Sequence, residues 1–572
     1  MRGNLLLLPP HGGGGARVLR RTLCSPACKP NVLLSAKTDF DSGCPATSIT
    51  STAVSCAERL SNGSANDLVV VGVFEEDVSA AASSLETGGS LDEMLASGRF
   101  SAKQNTRVTT RLGEGQPQLC LVGLGSMIGD LEHEASECPG RLLGAAAAAA
   151  SRECRATNVA IGLFGGDPDV DAEVDGEGWG ATAAGGATEN FLTGIYVDER
   201  FKSAQETPPV PPVKCVELLS VSSPKMQQRV ADAIDRATSI AAGVCQARRL
   251  VDGPPNIVDP GFLAAQARAI ADAGGQRMEC SVLGEKECAE LGMGAFLSVA
   301  AASELPPQFI HLTWRGIDDS DPVPAEKRLA IIGKGVTFDS GGYNLKTGPG
   351  CMIELMKFDM GGAAATLGAA RAISKLQPKG VEVHFIVAAC ENMISGRPGA
   401  LRPGDIVRAS NGKTIEVNNT DAEGRLTLAD ALVYATRELQ CGRVVDIATL
   451  TGACVVGLGD QVAGLFTRSN EFAEQLGAAA TVAGERQWRL PMHQGYWEQM
   501  KSQVADMKNA GGREGGAITA ALFLEKFVEG SDSAWAHIDV AGPVWNTKLG
   551  RATGAGVGTL TELVLSCSKQ GK

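Results

Sequence analysis

Apolar positions follow two different periods along the chain, and this mixture predicts an α/β protein. From about residue 60 to 215, apolar runs predict strands at 67–74, 118–123 and 159–164, and an Ala-rich run predicts a helix at 142–154. The following segment, 165–186, is rich in Gly and Asp and predicts an exposed loop. We interpret 60–215 as a first, smaller α/β domain.

A long helix is predicted to connect this domain to a larger one. Apolar residues recur with helical spacing across 226–250, and the pattern stops near Gly253. We therefore assign 216–250 to a linker helix and 251–572 to a larger C-terminal α/β domain. A chain of 572 residues is long enough to bury a core in each domain.

The first 55 residues differ in composition and predict an organelle transit peptide. Arg and Lys occur from residue 2 onwards, whereas the first acid is Asp39, and Ser and Thr continue to about Thr52. Acid-poor leaders that carry Arg and Ser are typical of organelle import. The alternative is a disordered cytosolic extension, and both interpretations predict a disordered segment.

Composition excludes several classes of function. The formal net charge of −13 argues against a nucleic-acid scaffold, which needs a basic face. The 16 Cys form no CxxC pair and indicate free thiols in a reducing compartment or small core residues. The 6 His include no HExxH motif, which argues against a His-ligated zinc peptidase. The chain has no run of about 20 apolar residues, so it predicts no membrane span.

Two acids separated by one residue, Asp421 and Glu423, give the first indication of chemistry. They lie between an alternating run, 413–417, and a helical run, 426–439, which places them in a loop after a strand and before a helix. Ligands bind at such strand ends in α/β sheets, and a cation would relieve the repulsion between the carboxylates. The loop alone leaves two alternatives open, a metal site and a loop whose acids favour the next helix's N-terminus.

Two further segments favour the metal site. A Gly-rich segment, 333–342, follows an apolar strand at 329–332 and is predicted to be a loop that carries Lys334 and Asp339. Asp359 lies in a third predicted loop, immediately before an Ala-rich helix that ends by Pro378. Hard oxygen ligands suit Mn²⁺, Mg²⁺ or Zn²⁺, and paired ions commonly use this many carboxylates. The sequence therefore predicts a metal centre built by three loops.

The string Asn-Thr-Asp-Ala-Glu-Gly-Arg-Leu, which begins at Asn419, resembles the signature of the leucine aminopeptidase family of two-metal peptidases. Further segments resemble that family in the same order, at 334–342, 356–362, 446–452, 517–527 and 537–543. The variant Tyr343-Asn344-Leu345 and the insert 347–351 are most similar to the plastid branch of plants and algae. The resemblance implies a mixed central sheet in the larger domain and a plastid location, with mitochondrion or cytoplasm as alternatives.

The resemblance also implies a role for each donor. Asp339 and Glu423 would be shared by both metals, Asp421 would bind one of them, and Lys334 and Asp359 would bind the other. A Lys ligates only as the neutral amine, so nearby cations and desolvation must lower its pKa.

Two more charged residues receive catalytic roles from the resemblance. Lys346 resembles the residue that stabilises the oxyanion, and Arg425 resembles the residue that holds a bicarbonate, which takes a proton from the attacking water. Without the resemblance, Lys346 would be an ordinary exposed lysine. The alternative for Arg425 is a structural residue that pairs with an acid.

The implied substrates are peptides with a free N-terminus, because the α-amine would bind one metal. The side-chain pocket, which would favour Leu- or Met-like residues, is expected at Met356, Asn419, Thr449, Leu450 and Gly452.

The resemblance further implies a homohexamer. It leaves two other functions open, DNA binding and chaperone activity, although the intact donor set and the acidic charge favour the peptidase. Whether the native metal is Mn²⁺, Zn²⁺ or Mg²⁺ stays open.

Overall fold

Two β-sheets with helices packed against them form the framework of the chain. The computed structural model describes residues 47–52, 59–60, 67–85, 94, 97–111, 113, 116–126, 138–164, 179–203, 210–219, 224–317, 323–348, 350–530 and 533–569. The predicted two-domain α/β fold is confirmed. The N-terminal domain contains a six-stranded sheet, and the C-terminal domain contains a mixed eight-stranded sheet.

The N-terminal sheet has the order β1-β6-β5-β2-β4-β3, and all neighbours are parallel except β3 and β4. Its central strand is a buried run of Leu and Val, as expected for a strand covered on both faces. The predicted strands and the Ala-rich helix are confirmed. The elements are β1 (Ser48–Ser51), β2 (Leu68–Val73), α1 (Val78–Ser84), β3 (Arg107–Arg111), β4 (Gln118–Gly123), α2 (Pro139–Cys154), β5 (Asn158–Phe164), α3 (Ala181–Ile195) and β6 (Cys215–Leu218).

Strand β1 lies inside the range 1–55 that the sequence assigned to a disordered leader. Ser48 pairs with Cys215 and Ser51 pairs with Leu218, so β1 extends the sheet in parallel beyond β6. The β-branched residues Ile49 and Thr50 suit such a strand. The folded chain therefore includes the end of the assigned range, while residues 1–46 lie outside the described part of the chain.

The predicted loop at 165–186 is wrong in its last part, because α3 begins at Ala181. Residues 165–178 lie outside the described residues. Helices α2 and α3 cross closely: a Cβ added at Gly140 would lie 2.1 Å from the Ala183 carbonyl oxygen, and one at Gly144 would lie 2.2 Å from that of Ala187. Gly186, one of the glycines that suggested a loop, also serves this packing, because a Cβ there would lie 2.9 Å from Cγ of Arg141 on α2.

Strand β6 occupies the start of the range 216–250 that the sequence assigned to the linker helix, and the helix itself, α4, spans Pro224–Asp252. Its first half contributes Met226 and Val230 to the N-terminal core, and its second half contributes Ile240 and Val244 to the C-terminal core. The four-residue spacing within each pair places the side chains on one face. One continuous helix thus belongs to the cores of both domains.

The C-terminal sheet has the order β15-β14-β17-β13-β9-β10-β8-β7 and is parallel from β17 to β10. Apolar cores cover both faces. Its strands are β7 (Met278–Leu283), β8 (Gln308–Arg315), β9 (Arg328–Asp339), β10 (Glu382–Asn392), β13 (Arg443–Ala448), β14 (Val462–Phe466), β15 (Arg486–Arg489) and β17 (Ala534–Asp539). The helices are α5 (Pro260–Gly274), α6 (Glu285–Glu290), α7 (Gly294–Ala300), α8 (Gly361–Leu376), α9 (Gly424–Val433), α10 (Gly452–Leu458), α11 (Asn470–Ala483), α12 (Gly516–Glu525) and α13 (Val557–Lys569).

Smaller elements complete the C-terminal domain. Short sheets are formed by β11 (Ile406–Arg408), β12 (Thr414–Glu416) and β16 (Met507–Lys508), and by β18 (Trp545–Asn546) and β19 (Arg551–Ala552). Helical turns of 3₁₀ type occur at Glu75–Asp77, Gly275–Arg277, Ala325–Lys327, Ile353–Met360 and Gln494–Met500, and a π-helical turn occurs at Tyr434–Glu438. None of the helices in the described part of the chain has the length and apolarity needed to cross a membrane.

Candidate active site

Lys334 and Asp339 lie on strand β9, so the prediction of a loop at 333–342 is wrong for most of that segment. Packing explains why glycine occurs within this strand. A Cβ at Gly333 would lie 2.6 Å from the Gly362 carbonyl oxygen of helix α8. A Cβ at Gly335 would lie 2.7 Å from a methyl group of Val387 on β10. Glycine here permits close approach of neighbouring elements, as is common within strands.

A β-bulge places both β9 residues in one site. Residues five positions apart on a regular strand point to opposite faces of the sheet. Val336 pairs with Cys390 on β10, whereas Asp339 pairs with Asn392, so β9 advances three residues while β10 advances two. The extra residue changes the side-chain alternation and brings Lys334 and Asp339 into the same group of charges.

Asp359 lies at the end of the 3₁₀ turn before α8, rather than in a plain loop. Its Oδ1 is 2.7 Å from Nζ of Lys334 and accepts a hydrogen bond from the Thr449 hydroxyl at 2.9 Å. Lys334 Nζ also donates to the Thr449 carbonyl oxygen at 3.1 Å. Three separate segments therefore meet around one buried ammonium group.

Asp421 and Glu423 lie in the predicted loop between β12 and α9, and this prediction is confirmed. Glu423 Oε1 is 2.8 Å from Nζ of Lys334, and Asp421 Oδ1 is 2.6 Å from Nζ of Lys346. A side chain at the next residue would displace the lysine, because a Cβ at Gly424 would lie only 2.4 Å from the Cε atom of Lys334. The lysine passes through the space that this glycine leaves open.

The resulting carboxylate site has the donor set and the geometry of a metal centre. Three carboxyl oxygens, one each from Asp339, Asp421 and Glu423, lie within 4.8 Å of one another. Asp359 Oδ2 and Glu423 Oε2 are buried and have no hydrogen-bond partner among the described residues. Buried carboxyl oxygens normally have partners, so two such atoms fit cation ligation. We use "carboxylate site" for the set Lys334, Asp339, Asp359, Asp421 and Glu423.

Burial and mutual repulsion dominate the electrostatics of the carboxylate site. Burial, with a contribution from Glu423, raises the pKa of Asp339 to about 6, and burial raises that of Asp359 well above its ordinary range. Burial opposes the charge of Lys334, yet Asp359 and Glu423 together raise its pKa above the usual value. The site therefore binds positive charge strongly, which is the electrostatic property that a dication requires.

The two proposed catalytic residues lie at this site. Lys346 Nζ is 2.9 Å from Asp339 Oδ2, so its ammonium group projects into the carboxylate site. Arg425 is buried and donates from Nη1 to the Asn509 carbonyl oxygen at 2.8 Å, while its Nε has no hydrogen-bond partner in the described part of the chain. Burial lowers the pKa of Arg425 to about 10. A buried guanidinium with a free N–H is suited to an anion.

The residues predicted for the side-chain pocket differ in their contacts. Thr449 contacts both Asp359 and Lys334, so the structure makes it part of the carboxylate site. The Oδ1 atom of Asn419 accepts from the Asp421 backbone N–H at 2.9 Å and shapes the acid loop. Leu450 is half-buried and packs against the apolar core that covers one face of the C-terminal sheet. Gly452 begins α10, and Met356 is half-buried in the 3₁₀ turn beside Asp359.

Three asparagines that support the site were not predicted from the sequence. Asn392 donates to Asp339 Oδ1 at 2.7 Å and to the Thr420 carbonyl oxygen at 3.0 Å, which joins β9 to the acid loop. Asn344 and Thr420 exchange hydrogen bonds, and Asn509 donates to the Asn419 carbonyl oxygen. Asn392 ends strand β10, and polar residues at strand ends are the signal that would have identified it.

Comparisons with known proteins agree with this arrangement. The model of the cytosol aminopeptidase family, catalytic domain, matches residues 245–561, and the model of its N-terminal domain matches 70–205. Chloroplastic leucine aminopeptidase 2 of Oryza sativa subsp. japonica is 48% identical over 487 residues, which cover 84% of this chain and 77% of the relative. Chloroplastic leucine aminopeptidase 2 of Arabidopsis thaliana is 47% identical over 511 residues, which cover 87% of this chain and 83% of the relative.

A solved structure of a tomato leucine aminopeptidase mutant has 41% sequence identity and a TM-score of 0.80, and the match covers 92% of this chain and 98% of that structure. Both domains are therefore shared with proteins whose names state the activity. The sequence prediction of a plastid metal-dependent aminopeptidase is confirmed by these matches. The chain belongs to the cytosol aminopeptidase family and is a metal-dependent aminopeptidase of its plastid branch.

Proposed function

We propose that the carboxylate site holds two divalent metal ions and that these residues carry the aminopeptidase reaction. Asp339 and Glu423 would be shared by both ions, Asp421 would bind one, and Lys334 and Asp359 would bind the other. The observation that carries this proposal is the pair of buried, unpartnered oxygens, Asp359 Oδ2 and Glu423 Oε2. A carboxylate set of this kind suits Mn²⁺ or Zn²⁺, and Mg²⁺ is a further candidate.

The chemistry of the bound ions is the activation of a water molecule and the polarisation of the scissile carbonyl. Lys346 would donate to the carbonyl oxygen as negative charge develops on it, since its ammonium group already projects into the site. Arg425 would hold a bicarbonate through its buried guanidinium, and that anion would accept the proton of the attacking water. Both residues therefore act on charge that forms during the reaction.

The proposed substrates are peptides with a free N-terminus, whose α-amine binds as a neutral ligand. Met356, Asn419, Thr449, Leu450 and Gly452 would form the side-chain pocket. Half-buried Met356 and Leu450 supply an apolar surface, which supports a preference for Leu- or Met-like residues.

The organisation of the protein forms the last part of the proposal. We propose a leader that ends before β1, an N-terminal domain that runs from β1 to β6, the linker helix α4 and a catalytic domain that follows α4. The enzyme would act in the chloroplast stroma as a homohexamer. The exposed Trp488 on edge strand β15, at 66% exposure, supports assembly through this region, because single large apolar side chains often anchor interfaces.

The free-amine requirement tests the proposed substrate class directly. We expect Leu-p-nitroanilide to be hydrolysed and its N-acetyl derivative to be left intact, because acetylation converts the amine into an amide, whose delocalised nitrogen lone pair is a poor metal ligand. The measurement is the initial rate of nitroaniline release with Mn²⁺ or Zn²⁺ added to metal-depleted enzyme. With Mn²⁺ as the only added metal, metal analysis by mass spectrometry should give two ions per subunit. Equal rates on both substrates would refute the role of the amine, and a single bound ion would refute the pair.

A further inference from the structure

A second group of donor atoms lies on the same sheet, away from the carboxylate site. It consists of His311 and Thr313 on β8 and His384 on β10. On β10 the partner of Lys334 is Ala388, so His384 lies four residues earlier, about 13 Å along the strand. We call these three residues the histidine cluster.

Strand register explains why the three side chains meet. His311 and Thr313 are two residues apart on β8 and therefore project from one face of the sheet. Thr313 is directly opposite His384 in the antiparallel pairing of β8 with β10. The His311 Nε2 atom lies 3.0 Å from His384 Nδ1 and 3.1 Å from Thr313 Oγ1, and the third side of this triangle is 3.4 Å.

The outer nitrogens of both imidazoles are held by further side chains. His384 Nε2 lies 3.1 Å from Glu382 Oε1, and His311 Nδ1 lies 3.3 Å from the Tyr434 hydroxyl. Metal-binding histidines characteristically engage a carboxylate, a backbone carbonyl or a water through the nitrogen that does not face the metal, and Glu382 is such a partner for His384. Tyr434 begins the π-helical turn, and such turns occur frequently at functional sites.

The histidine cluster opens onto a cavity of about 500 Å³. Burial, with a contribution from His384, lowers the pKa of His311 to about 3, so its imidazole is neutral and has a lone pair at neutral pH. The other charged groups on this cavity include Glu279, which pairs with Arg315 at 3.0 Å. Arg328 lies 3.5 Å from Glu382, so a carboxylate faces each arginine.

We propose that His311, His384 and Thr313 form an additional divalent-cation site, specific for a cation that prefers imidazole, such as Zn²⁺. Nitrogen and oxygen ligands at about 2.0–2.1 Å from a tetrahedral zinc lie about 3.3 Å from one another, which is close to all three sides of the observed triangle. Imidazole ligands distinguish this site from the oxygen-rich carboxylate site. The competing explanation is a hydrogen-bond chain from Tyr434 through both histidines to Glu382.

Metal counting separates the two explanations. Untagged full-length protein is saturated with Mn²⁺, dialysed against micromolar Zn²⁺, and its total metal content is measured by mass spectrometry. We expect wild type to hold about one ion per subunit more than His311→Asn and His384→Asn. His493→Asn, a change at an exposed histidine, should match wild type. Equal metal content in wild type and both cluster variants would overturn the proposal.

Two further measurements keep the test decisive if an asparagine variant fails to fold. Glu382→Gln keeps both imidazoles, and we expect the affinity of the extra Zn²⁺ to fall about 10–100-fold, as is typical when the partner of a ligating histidine changes. Cu²⁺-loaded wild type should show imidazole nitrogen couplings in pulsed electron paramagnetic resonance. Unchanged Zn²⁺ affinity in Glu382→Gln, or copper spectra without imidazole, would equally overturn the proposal. The readout is a difference between proteins and does not depend on how many ions the carboxylate site holds.

Discussion

The carboxylate site and the histidine cluster belong to one sheet but are assembled by different means. The carboxylate site gathers Lys334 of β9 with Asp359 and Glu423, which each precede a helix, so its members come from segments far apart in sequence. The histidine cluster lies on two neighbouring strands, where two-residue alternation and register alone bring His311 and His384 together. The first site concentrates charged oxygen donors and the second presents neutral imidazoles, so the two sites should bind different cations.

Among the variants, Glu423→Ala should give the largest difference between the carboxylate site and the histidine cluster in the metal that each retains. Glu423→Ala removes a carboxylate that contacts Lys334 and that we assign to both ions, so metal and peptidase activity should be lost together. The loss should exceed the 10–100-fold that is typical of changes outside the ligand shell. The extra Zn²⁺ of the histidine cluster should remain. The measurements are metal content and kcat. The control is Glu354→Ala, which changes an exposed acid in the 3₁₀ turn that carries Asp359.

The assignment of Glu423 would be wrong if the variant stayed active with two ions bound. If the variant lost the cluster's Zn²⁺ as well, the two sites would not be independent.

Lys346→Ala should separate chemistry from metal binding within the carboxylate site. The five donors stay in place, so metal content should remain near normal while kcat falls by about 10²–10³, the usual effect of losing one oxyanion donor. Lys286→Ala is a matched control because that side chain is 85% exposed. Metal loss in Lys346→Ala would show that the lysine is structural.

Arg425→Ala should give a smaller loss of activity. The metal content should again be retained. Added bicarbonate should restore part of kcat, because a high concentration of the anion can occupy the site even without Arg425. Arg402→Ala, at an exposed arginine that pairs with Asp405, serves as the control. A bicarbonate response that is the same in wild type and variant would argue that Arg425 is a structural residue held by Asn509.

Gly333→Ala should have the smallest effect, and it should act on stability. The added methyl group would lie 2.6 Å from the Gly362 carbonyl oxygen, and such overpacking typically costs about 1–3 kcal/mol. Gly477→Ala is the matched control: it lies within α11, has no atom within 4 Å of the new Cβ, and should stabilise the helix by up to about 1 kcal/mol. Urea unfolding measures the change in the free energy of unfolding for both variants. A change of the same sign in both would contradict the packing argument.

Much of the fold was predictable because local patterns agree with the final packing. Strand β4 and helix α4 follow apolar periodicity closely, and the acid loop lies between the predicted strand and helix. Gly333 and Gly335 predict a turn because glycine indicates a turn locally, whereas here it permits packing with α8 and β10. Tertiary contacts of this kind leave no periodic signal in the sequence.

The charged members of the carboxylate site were predictable, but their mutual arrangement was not. The bulge that aligns Lys334 with Asp339 depends on the pairing of β9 with β10, and Asn392 contributes through that same pairing. The histidine cluster was not predicted at all, because its residues are recognisable only once β8 and β10 are known to be neighbours.

Gly424 gives a criterion for judging activity in related sequences. A single methyl group there would occupy the path of the Lys334 side chain, at 2.4 Å from its Cε. A homologue could retain every acid and both lysines, and a larger residue in place of this glycine would still displace the amine from the place where we propose that it binds metal. Catalytic competence in such homologues therefore depends on a position that supplies no ligand.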